Sequence, residues 1–105
     1  MSGDADNGTS EFTAKNSTIT TNKGDSFYIT NTTAKITLTN NKIINNDSTG
    51  NFLRVQTDSW GTKGSNGGIV TLLMNNQKAT WNIVIDSIST LDMTMTSSSY
   101  TGAIN

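Results

Sequence analysis

An internal repeat constrains this chain more than any other feature. Phe12-Thr-Ala-Lys-Asn-Ser-Thr-Ile19 aligns without a gap on Ile36-Thr-Leu-Thr-Asn-Asn-Lys-Ile43, an offset of 24 residues. Apolar residues fall on apolar residues at three positions, Thr13 falls on Thr37, and Asn16 on Asn40. Gly24-Asp-Ser-Phe27-Tyr-Ile29 then falls on Gly50-Asn-Phe-Leu53-Arg-Val55 at an offset of 26. A third copy is expected at Val70-Thr-Leu72-Leu-Met74-Asn75 and a fourth at Leu91-Asp-Met93-Thr-Met95, at offsets of 34 and 21. A Gly/Ser-rich insertion at Asp58–Gly68 accounts for the longer interval. One such unit cannot bury its own apolar stripe, whereas stacked units bury a continuous core.

The pattern inside each unit is that of strands. Short apolar-alternating runs occur at 12–14, 18–20, 27–30, 36–39, 42–44, 52–57, 69–74, 81–85 and 91–96. Asn, Asp, Gly, Ser and Thr separate them, and no segment reads at the helical period. With units stacked at the ~4.8 Å inter-strand spacing, alternate residues form inward columns. Phe12/Ile36/Val70/Leu91 is the first expected column and Ala14/Leu38/Leu72/Met93 the second. Phe27/Leu53 and Ile29/Val55 line another face. A thin core with a large surface also explains the composition. Ser, Thr and Asn supply 45 of 105 residues, and the apolar fraction is only 32%.

Several function classes drop out. With no His, the chain has no imidazole base or ligand, and with no Cys it has no thiolate chemistry or disulfide. The absence of Pro permits unbroken strand ladders. A net charge of −1 argues against nucleic acid as a partner. No apolar run approaches the ~20 residues of a membrane span, so no membrane insertion is expected. Residues 1–10 read as a polar N-terminal arm without the basic start and apolar stretch of a signal peptide. The repeats are expected to occupy 11–105.

Ile36-Thr-Leu-Thr-Asn-Asn-Lys-Ile-Ile-Asn-Asn46 resembles the repeat of right-handed parallel β-helix proteins. The resemblance implies two strands joined by a tight turn whose Asn residues stack into a hydrogen-bonded ladder. Asn16 and Asn40 match that turn, and Met74 or Asn75 falls there in the third copy. Gly50-Asn-Phe-Leu-Arg54, Ser59-Trp-Gly61, Gly64-Ser-Asn-Gly-Gly68, Asp86-Ser-Ile-Ser-Thr-Leu91 and Ser99-Tyr-Thr-Gly-Ala-Ile-Asn105 carry a second resemblance, to adhesin-like secreted surface proteins of Gram-positive bacteria. The expected fold is therefore an all-β, right-handed parallel β-helix (a single-stranded β-solenoid) of about four coils. It would form part of a longer extracellular or cell-surface chain.

The expected function is structural or adhesive, without chemistry. The module would bind carbohydrate or another surface protein weakly, with no cofactor and no metal. Candidate ligand contacts are Tyr28, at an outward strand position, Arg54, the sole Arg, and Trp60, in the insertion. A carbohydrate-active, pectate-lyase-like enzyme fragment is one alternative, because β-helix enzymes use paired or calcium-bound carboxylates. Here Asp25, Asp47, Asp58, Asp86 and Asp92 are scattered, and Asp25 stacks on Asn51. An ice-binding solenoid is the other, from the triplets Thr18-Ile-Thr20, Thr37-Leu-Thr39 and Thr94-Met-Thr96. The outward columns expected there, Thr13/Thr37/Thr71/Asp92 and Lys15/Thr39/Leu73/Thr94, are interrupted by charge and by Leu73. Unpaired strand edges and the apolar side chains of Met93, Met95 and Ile104 predict end-to-end self-association.

Overall fold

The computed structural model describes residues 8–57 and 67–105. Eleven strands are formed by these residues, and every pairing between them is parallel. In chain order they are β1 (Gly8–Lys15), β2 (Thr18–Thr21), β3 (Phe27–Thr30), β4 (Thr32–Thr39), β5 (Lys42–Asn45) and β6 (Leu53–Gln56). They continue as β7 (Ile69–Asn75), β8 (Lys78–Ala79), β9 (Ile83–Ile85), β10 (Thr90–Thr96) and β11 (Ser99–Tyr100). The strand orders are β1-β4-β7-β10, β3-β6-β9, β2-β5 and β11-β8. Except at β5 and β8, which do not pair, each element pairs with its counterpart about one repeat later, which defines a β-solenoid of about four coils. The coils begin at Gly8, Thr32, Ile69 and Thr90. Strand pairing already begins at Gly8, three residues before the boundary drawn from the sequence.

The offset of 24 between the first two copies is the observed register: Phe12 pairs with Ile36 and Ala14 with Leu38. Phe27 pairs with Leu53 and Ile29 with Val55, also as expected. The third copy differs. Ile36 pairs with Leu72 and Leu38 with Met74, so Val70 lies beside Ala34 rather than Ile36. The error is two residues, and its cause is physical. Side chains alternate with period two, so a slip of two keeps every apolar residue inward. The fourth copy then follows the expected offset of 21, with Leu91 beside Val70 and Met93 beside Leu72.

Turn chemistry settles that register. Asn16, Asn40, Asn76 and Ser97 follow the four long strands, with φ of 53°, 51°, 47° and 49°. Asn tolerates this left-handed conformation better than most residues. The turn residue of the third coil is thus Asn76, not Met74 or Asn75. Met74 is fully buried in the core.

The core runs along the solenoid axis. Ile29, Ile36, Leu38, Phe52, Val55, Met74 and Ile83 have no exposed surface. A run of aromatic rings starts at the edge of the core, within the first coil, and continues across the coils. Phe12 meets Phe27 with centroids 5.4 Å apart, Phe27 meets Phe52 at 5.8 Å, and Phe52 meets Tyr100 at 6.3 Å. The first two pairs are edge-to-face and the third is tilted at 35°; such contacts add to the area they bury.

Candidate functional site

Three sets of polar side chains lie outside this core: an amide corner, a carboxylate corner and the outer sheet faces. The amide corner grows from the left-handed turns. Asn40 Nδ2 donates to Asn16 Oδ1 at 2.8 Å, so the expected ladder exists between these two residues. Backbone bonds carry it onward: Asn16 N donates to Thr39 O, Asn40 N to Asn75 O and Asn76 N to Thr96 O. A second, inner ladder follows one residue later. Ser17 N donates to Asn41 Oδ1 at 3.0 Å, and Asn41 N donates to Gln77 Oε1 at 2.8 Å. Gln77 N in turn donates to Ser98 Oγ at 2.9 Å. Gln77 is 1% exposed and its Nε2 also serves the Asn41 and Lys78 carbonyls. A buried amide is tolerated because its donors and acceptor are satisfied. The sequence reading missed Gln77, and the one signal for it was its place directly after a turn Asn.

The carboxylate corner joins coils through backbone N–H groups. Asp47 Oδ2 accepts from Gly24 N at 2.8 Å, and its Oδ1 accepts from Thr49 N and Thr49 Oγ1. These donors bring its pKa down to about 2. Burial opposes ionisation of Asp86, but hydrogen bonds from Ser89 and Thr57 outweigh it and bring that carboxyl down to about 2 as well. Thr57 N donates to Asp86 Oδ2 at 2.6 Å and Ser89 N to its Oδ1 at 2.9 Å. Gly50 is required where this corner is tightest, since a Cβ there would overlap the Gly24 carbonyl oxygen and the Asn45 amide. Gly24 itself has φ of 85°, a conformation that favours glycine.

Asp25 has the expected neighbour and one more. Asn51 donates to its Oδ1 from both N and Nδ2, each at 2.9 Å. Arg54 Nε donates to its Oδ2 at 2.8 Å, the one ion pair among the described residues. Burial raises the Asp25 carboxyl, yet these bonds outweigh it and hold it below the ordinary value. Arg54 sits beside Tyr28 across β3 and β6, so two of the three candidate ligand contacts are neighbours. Tyr28 is 36% exposed, and its hydroxyl accepts from Gln56 Nε2. The third, Trp60, lies outside the described residues, as do residues 58–66 of the insertion.

The outer face of the four-stranded sheet is also rearranged by the corrected register. Its columns are Thr9/Thr33/Ile69/Thr90, Glu11/Lys35/Thr71/Asp92, Thr13/Thr37/Leu73/Thr94 and Lys15/Thr39/Asn75/Thr96. A charged column therefore runs between two Thr-rich ones, which disrupts the even hydroxyl plane that ice binding needs. No group of three or more acidic residues able to hold a metal occurs among the described residues. Comparison with known protein families, with curated proteins and with solved structures finds no match for this chain.

Proposed function

We propose that this chain is a non-enzymatic structural and adhesive module of a larger secreted or cell-surface protein. It is the kind of β-solenoid segment found in adhesin-like proteins of Gram-positive bacteria, and it presents polar faces that bind carbohydrate or protein weakly. One observation carries the reading. Asp25, Asp47 and Asp86 are each committed to hydrogen bonds between coils, with pKa values held below the ordinary carboxyl range. A glycosidase acid needs the opposite, a carboxyl kept protonated near neutrality. The remaining described acids, Glu11 and Asp92, stand on the first and last strands of their sheet, with β4 and β7 between them. That separation of three strand spacings, roughly 14 Å, exceeds the reach of a carboxylate pair.

The test is incubation of the chain with a panel of pectic and other polysaccharides, with and without calcium. No new reducing ends and no unsaturated products are expected. Cleavage that disappears on Asp25→Ala or Asp92→Ala would overturn the proposal and favour the lyase-like alternative.

A further inference from the structure

We draw no further inference here: the strongest candidate, the outer face of β3 and β6 where Arg54 stands beside the exposed Tyr28, carries nothing, because Arg54 is committed to Asp25 and nothing in the structure shows what covers that face.

Discussion

Leu38 and Met95 occupy one column of the core, Ala14/Leu38/Met74/Met95, yet they live in different surroundings. Leu38 has no exposed surface, whereas Met95 is 45% exposed. The same contrast separates Ile36, fully buried, from Phe12, 37% exposed, in the neighbouring column. Local sequence does not make the difference, because all four strands alternate alike. Interior coils have a neighbour on both sides and terminal coils on one. Burial in this fold is thus a property of stacking, as expected of a quasi-one-dimensional architecture.

The largest test of that contrast is truncation within one column. Leu38→Ala should cost about 2–5 kcal/mol, because a fully buried side chain leaves a cavity closed on both sides by other coils. Met95→Ala should cost less than about 1 kcal/mol, the range of partly exposed sites. Chemical denaturation of both variants measures it. Equal losses would show that the terminal coil is as tightly packed as the interior ones.

Much of this architecture was legible in the sequence. The Phe12/Ile36 and Phe27/Leu53 registers could be read because copies one and two share both apolar spacing and turn residues. The third register was hidden by the slip of two, which apolar alternation cannot detect and only the left-handed turn at Asn76 resolves. The two-residue strands β8 and β11 were missed, since Lys78–Ala79 and Ser99–Tyr100 are too short to show alternation. Of the candidate site, the adjacency of Tyr28 and Arg54 followed from the correct register. The Arg54–Asp25 pair did not, because it links a strand to the corner of the preceding coil.

Acid offers a second way to sharpen the comparison. Asp47 binds Gly24 N across the first joint between coils, and Asp86 binds Thr57 N across the second. The third joint uses neutral groups instead: Gln77 N donates to Ser98 Oγ, and Ala103 N to Asn82 Oδ1. Both carboxyls are lowered to about 2 from an ordinary 3.8. A depressed folded pKa contributes stability above the unfolded value that is lost as pH falls through the folded one. Stability should therefore decline between pH 3.8 and about 2. Hydrogen exchange should show Gly24 and Thr57 amides losing protection before those of Gln77 and Ala103. Asp47→Asn with Asp86→Asn should flatten the decline. A double variant as acid-sensitive as the parent would place the proton-linked stability elsewhere.

The smallest expected effect concerns the exposed ends themselves. Among the described residues β1 and β10 are the edge strands of the four-stranded sheet, and no described strand pairs with their outward-facing backbone groups. Met95 and Ile104, 45% and 53% exposed, and the half-buried Leu91 and Met93 add apolar surface at the fourth coil. The isolated chain is expected to self-associate end to end through this surface. A second copy continuing the ladder would set Ser10, Phe12 and Ala14 beside Leu91, Met93 and Met95, which extends the core columns. The same register sets Glu11 beside Asp92, and like charges directly opposite oppose the contact. Association should therefore be weak, strengthened by salt through screening, and strengthened further by Asp92→Asn. Sedimentation over a concentration series measures it. If both the parent and Asp92→Asn stay at 11.2 kDa up to ~1 mM, where even a contact of about 4 kcal/mol would populate dimers, the ends are not sticky. The interior and terminal coils would then differ in burial alone, without any tendency of the molecule to complete its own stack.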